Sequence, residues 1–338
     1  MPGMGPRPPP LRPCGELSAS LLTRLSGENL LAGLLLFKSL AAVTFLLNTL
    51  LIWALLAGQE TAVRSAYTLL WGWNPALLLI FIADGHNDGL MILWLLLGLW
   101  IMRRGYPAAG FVVMLLAPLT KAIGALALPF FFLAAIHALP DWKGRARFVL
   151  LVSLGAAGLV LLTFLPFGSP LALAKRLLFE IVRAPGFSFG ALLLLGMQSA
   201  GLPITLGLLN SLSAVFTATA VLLGLWLLWL TGKGRPAGRS VADIFGLYIL
   251  QAFSFRIWYA AWPFPWLLLE DVWTENGRFT YRLRVGIWFL LTSQLAVLIY
   301  GHLRIYALGG NHTLAHLIGA PFTFGLPFLL AKIGPTRA

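Results

Sequence analysis

The sequence predicts an all-α, polytopic transmembrane helical bundle, and three observations predict it. Of 338 residues, 59% are hydrophobic and only 10% charged. A soluble domain carries about 25% charged residues, so there is too little polar surface here to cover a body in water. Runs such as 148–167 and 214–230 stay apolar for about 20 residues, the length that spans a bilayer core. These runs are apolar all round. A β-barrel would alternate apolar and polar residues over short strands, whereas helices satisfy their own backbone groups within the bilayer.

In chain order, apolar segments fall at 30–56, 64–83, 88–102, 107–120, 122–138, 148–167, 203–230, 241–256, 262–273, 283–303 and 313–331. This predicts about 10–11 membrane segments. Residues 1–29 read as an irregular Pro-rich tail, with six prolines in Met1–Pro13, and 30–335 as a single transmembrane domain. The pieces 107–120 and 122–138 are short and flank Lys121, so they read as a broken or shallow pair. The lone cysteine, Cys14, excludes an internal disulfide framework. No apolar leader of the signal-peptide kind is visible at the start.

The net charge of +13 does not point to nucleic acid, because the basic residues sort by loop. One set holds Arg64, Arg103, Arg104, Lys143, Arg145 and Arg147, followed by Lys233, Arg235, Arg239, Arg278, Arg282, Arg284, Lys332 and Arg337. The opposite set holds only Lys121, Lys175, Arg176, Arg183, Arg256 and Arg304. The positive-inside rule then places the first set, and the C-terminus, in the cytoplasm. In the loop 168–202 on the opposite side, Arg176, Glu180 and Arg183 share one stripe of a helix. Leu173, Leu177, Leu178 and Ile181 fill much of the other side, which predicts an amphipathic helix on the outer surface.

The most unusual string is Asp84-Gly85-His86-Asn87-Asp88. It puts two carboxylates and an imidazole in an outer hairpin, where charge is costly. If the turn is helical, Asp84 and Asp88 lie on one face. They could bind a hydroxyl, act as general base or hold a divalent cation; alternatively they cap the two helices they separate. A second outer cluster is Arg256, Trp258 and Tyr259, followed by Trp262. It reads either as an aromatic belt or as a phosphate-pairing arginine beside rings that cover a sugar or lipid. Lys38 and Lys121 sit inside apolar sequence, where snorkelling is the bland explanation. His302, Arg304, His312 and His316 are too unevenly spaced for a metal site. There is no P-loop, dinucleotide glycine pattern or serine nucleophile elbow.

The order Trp73-Asn74-Pro75-Ala76-Leu77, Gly85-His86-Asn87-Asp88, Leu119-Thr120-Lys121 and Leu128-Pro129 resembles integral-membrane GT-C glycosyltransferases that use polyprenyl-phosphate sugars. The closest group in that resemblance is the bacterial α-mannosyltransferases. Leu36-Phe37-Lys38 and Trp258-Tyr259 look like members of the same pattern, and the similarity covers about residues 15–275. It implies a multi-helix fold in the cell membrane with its active site at the extracytoplasmic face. It also implies transfer of a hexose, mannose first, from a polyprenyl-phosphate donor to a glycan or glycolipid acceptor. Asp88, Asp84 and His86 are then the catalytic candidates. Asn87, Lys121, Arg176, Arg256, Trp258, Tyr259 and Lys38 are the substrate-binding ones. No cofactor is implied beyond a possible divalent cation, and the partners are donor, acceptor and membrane lipid, with no nucleic acid.

In such enzymes an acidic residue in the first outer loop, after a first transmembrane helix, activates the acceptor. This chain begins after the place where that loop stands, so the resemblance predicts a missing leading helix and acidic loop. Two alternatives stand beside the transferase. One is a glycolipid transporter or flippase; the other is a catalytically incomplete fragment or structural subunit.

Overall fold

The computed structural model describes residues 13–164, 187–252, 255–271 and 279–333. Among these every regular element is a helix. In chain order they are α1 (Pro13–Ser26), α2 (Leu30–Leu55), α3 (Thr61–Gly72) and α4 (Pro75–Ala83). There follow α5 (Asp88–Arg103), α6 (Pro107–Thr120) and α7 (Ala122–Ala138), α8 (Trp142–Phe164) and α9 (Phe189–Ser199). The last are α10 (Leu206–Gly232), α11 (Ala237–Gln251), α12 (Phe264–Glu270), α13 (Tyr281–Ala307) and α14 (His312–Leu330).

Five of these are long and apolar enough to cross a bilayer, six if the bent pair α3–α4 is one span. That is fewer than the 10–11 segments expected from the sequence. The difference lies in the interior, where apolar stretches are broken into short helices. Pro75 starts α4 after a bend of 43°, and Lys121 separates α6 from a 3-10 turn that opens α7. Two further expectations need correction. Residues 13–26 are helical and pack against α2 and α6, so the tail is not irregular to position 29. Part of the supposed loop 168–202 is the helix α9, capped by the Ser188 hydroxyl, which accepts from the Ala191 amide. The amphipathic helix expected over 170–183 lies outside the described residues.

Close packing at the centre is set by small residues, as is usual between membrane helices. A Cβ on Gly98 of α5 would stand 2.5 Å from the Gly110 carbonyl oxygen of α6, and one on Gly110 would stand 2.5 Å from the Gly98 oxygen. The two backbones therefore touch, and α6 follows α5 closely enough to bring Lys121 back to the level of Asp88. Trp71, Phe81 and Phe264 stack beside this pair, and Trp71, Trp262, Trp266 and Tyr67 are fully buried. Asn48 of α2 donates to the Gly89 carbonyl at 2.9 Å, both buried, which fixes the first turn of α5.

The ends of the bundle differ in charge, as the loop sorting predicts. Arg64 donates to the Trp53 carbonyl, Arg103 to that of Leu55, and Arg239 and Arg282 pair with Asp271. All of these sit at one end, called here the basic end. Asp84–Asp88 and Lys121 sit at the other, separated by the length of α5, about 24 Å at 1.5 Å per residue.

Candidate functional site at the end opposite the basic cluster

The turn between α4 and α5 is not helical. Gly85 takes φ +73°, a left-handed value that glycine adopts without steric cost. This reverses the chain, so Asp84 is exposed while Asp88 is buried. The two carboxylates are therefore not on one face. Nor do they cap helices, since Asn87 precedes α5 without a side-chain cap bond. The capping is done upstream by Asn74, whose side-chain oxygen accepts from the Ala76 amide at 3.0 Å and the Leu77 amide at 3.4 Å, with Pro75 at the first helical position. The Trp-Asn-Pro string is thus a helix start, and Trp73 itself is exposed.

Asp88 is the centre of the site. Its carboxylate accepts from Lys121 Nζ at 2.6 Å on each oxygen and from the indole N–H of Trp262 at 2.5 Å. The lysine head is 12% exposed and the carboxylate not at all. A buried charge needs such pairing, because desolvating it alone is expensive. The ring centroids of Trp258, Tyr259 and Trp262 stand 5.9, 5.7 and 5.5 Å from Lys121 Nζ, and Tyr259 stacks on Trp262 at 4.0 Å. The ammonium is therefore ringed by π faces that favour a cation. Trp262 is part of this wall and not of a membrane belt, being 1% exposed.

His86 stacks on Trp258 with centroids 3.8 Å apart. Burial pushes its pKa below the usual histidine value; Lys121 acts the same way, while Asp88 and Asp84 pull upward. The ring is therefore neutral at pH 7. Lys38 is half-buried. Its ammonium donates to the carbonyls of Ala83 and Ile82, where a cation complements the carbonyl end of α4. Arg256 is exposed, with its guanidinium 6.0 Å from the Trp258 ring. Asn87 is exposed at the rim, and Arg176 lies outside the described residues.

Of the residues expected from sequence, Asp88, His86, Lys121, Trp258 and Tyr259 are thus brought together, with Lys38, Asp84, Asn87 and Arg256 at the edge. Trp262 is the member absent from the candidates read from sequence, although its place four residues after Trp258 on a turn rich in rings is a usable signal. Arg304 instead meets His312, its Nη1 standing 3.0 and 2.8 Å from the two ring nitrogens. Among the described residues no three His, Cys, Asp or Glu side chains form a metal-binding group.

Fold and site together define a polytopic helical membrane protein with one polar, aromatic-walled site at one end. Residues 7–137 match the family model of the alpha-(1->6)-mannopyranosyltransferase N-terminal domain. The match contains Lys38, the whole Asp84–Asp88 string and Lys121, and it bears out the resemblance to GT-C mannosyltransferases. Over those residues the chain is similar to the N-terminal domain of an α-mannosyltransferase family. The match begins earlier than the expected start of similarity near residue 15, and Trp258, Tyr259 and Trp262 lie beyond its end. No curated protein matches the chain significantly.

Proposed function

We propose that the chain transfers mannose from a polyprenyl-phosphate donor to a glycan or glycolipid acceptor at the extracytoplasmic face of the cell membrane. The observation that carries this reading is the Lys121 ammonium, fixed by Asp88 and Trp262 at the end away from the basic cluster. A departing lipid phosphate develops negative charge, and a cation that is already held in place stabilises it without reorganisation. Arg256, exposed at the rim, adds a guanidinium suited to bidentate phosphate contact.

A tail site lies next to these groups. A cavity of about 620 Å³ between α7, α10 and α11 is lined by Phe130, Phe216, Val221 and Tyr248, among others. Tyr248 stands 6.0 Å from the Trp262 ring, so an apolar chain there would emerge beside Lys121. Within this reading Asp88 positions the lysine. The exposed Asp84 and the neutral His86 contact the acceptor hydroxyl or sugar, with Asn87 beside them. Positive-inside sorting supports an outward site and a cytoplasmic C-terminus.

The transporter alternative needs a polar path between the two ends. The buried face of α5 between them is Met91, Ile92, Leu95, Leu96 and Leu99, all apolar, which favours the transferase. Membranes from cells expressing the chain, supplied with labelled polyprenyl-phosphate mannose, are expected to yield labelled product. Label passing only from a nucleotide sugar would refute the donor class.

A further inference from the structure

A second cavity, of about 400 Å³, lies on the other side of α11 and opens between α10 and the pair α13–α14. Leu223 and Trp226 of α10 form one wall, and Val285 and Phe289 of α13 the other. Gly246 and Leu250 of α11 line its floor. A Cβ on Gly246 would meet nothing within 4 Å, so this position looks into open space. The polar groups are confined to one end, where Tyr281, Arg282 and Asp243 gather. From Tyr281 to Phe289 the cleft runs about 12 Å along the helix, apolar from there inward.

The position of the polar end argues for the occupant. It is the basic end of the bundle, where Arg282 and Arg235 pair with Asp243, and Arg239 and Arg282 with Asp271. Three arginines share these two carboxylates, and Glu270 beside them lies near Arg103 and Arg239, so four arginines face three carboxylates and the cluster retains positive charge; Lys233, Arg284 and Lys332 stand at the same end of their helices. Among the described residues, the span α10 buries only 6% of its most apolar window. An apolar span of this length with so little of itself buried suits a lipid neighbour, and the cleft opens beside it.

We propose that this cleft is a binding site for an anionic membrane phospholipid, with one acyl chain between α10 and α13 and the headgroup phosphate at the rim formed by Arg282 and its basic neighbours. The site is distinct from the Lys121 site, at the opposite end of the bundle. It does not depend on the chemistry proposed there.

The test uses the full chain reconstituted in vesicles that contain either phosphatidylglycerol or phosphatidylcholine with a photoactivatable diazirine in the acyl chain. Labelled positions are mapped by peptide mass spectrometry. Labelling is expected to concentrate at Leu223–Leu227 and Val285–Phe289, with phosphatidylglycerol favoured by about fivefold through the nearby charge. Gly246→Leu is expected to abolish labelling at these positions and leave other lipid-facing helices labelled as before. If that variant fails to insert, Val285→Phe fills the same space from the opposite wall. Labelling that is spread evenly over all lipid-facing helices, or that survives both variants, overturns the site. Equal labelling by the two lipids overturns the anionic assignment.

Discussion

Both ends of the bundle hold acids among basic side chains, yet they are built in opposite ways. At the basic end, Asp243 and Asp271 are shared among Arg235, Arg239 and Arg282, and the arginine heads remain 22–45% exposed. At the other end Asp88 and Lys121 pair while almost wholly buried, the rings of Trp258, Tyr259 and Trp262 stand around the ammonium, and the His86 imidazole lies within electrostatic reach. A network with several partners and access to water tolerates loss of one member, because the others and the solvent compensate. A buried ion pair does not tolerate it. The difference teaches that the first arrangement ties helix ends together, whereas the second keeps one charge in a fixed place at the cost of stability. Such placement is of use where charge develops during a reaction.

The sharpest way to break this comparison is to remove Asp88. Asp88→Ala leaves the Lys121 ammonium buried without its counter-charge, a loss of about 3–5 kcal/mol. Thermal unfolding in detergent should show a large fall in stability, and mannosyl transfer should vanish. The double variant Asp88→Leu with Lys121→Met removes both charges. Such replacements are often neutral for stability, so folding is expected to return while transfer stays absent. Recovery of transfer in the double variant would show that the pair serves the fold alone.

Arg256 tests the rim of the same site. In the proposed donor site Arg256→Ala removes one charge-assisted phosphate contact, about 1.5–3 kcal/mol, so a roughly 10-fold to 150-fold rise in donor KM is expected. The acceptor KM should stay constant. The reverse pattern would move this arginine to the acceptor side.

At the basic end, Asp243→Asn is expected to cost only about 1 kcal/mol, since the partners are partly solvated. Transfer kinetics should be unchanged while the melting temperature falls slightly. A loss of transfer with intact folding would contradict the division of labour between the two ends.

The smallest effect is that of pH on His86. Its folded pKa lies below 6.5 because burial disfavours the imidazolium. The folded state then binds fewer protons than the unfolded one between that lowered value and 6.5. Stability is therefore fully present above about pH 6.5 and falls as the pH drops through the window beneath it. A melting series from pH 7.5 to 5 should show this slope in the parent and its absence in His86→Asn. A slope of equal size in both would assign the effect to another group.

Much of this was legible in the sequence. Apolar runs of bilayer length predict helices, and the helices stand within a few residues of the segments read from the chain. The sorting of Arg64, Arg103, Arg239 and Arg282 away from Asp84–Asp88 is reproduced as two ends of one bundle. Two segments were misread for local reasons. Prolines dominate the first thirteen residues and masked the helix that follows them, and α9 is too short to read as a span.

What the sequence by itself determined is the membrane class, the order of helices and the polarity of the two ends, because hydropathy and charge act residue by residue along the chain. What only the tertiary structure decided is which polar groups meet. Asp88 finds Lys121 33 residues later and Trp262 174 residues later, through the contact of Gly98 with Gly110 and the left-handed turn at Gly85. Asp84 and Asp88, four residues apart, are sent to water and to the core respectively. Helical periodicity cannot foretell this outcome, because a single glycine turn ends the helix between them and long-range packing supplies the partner.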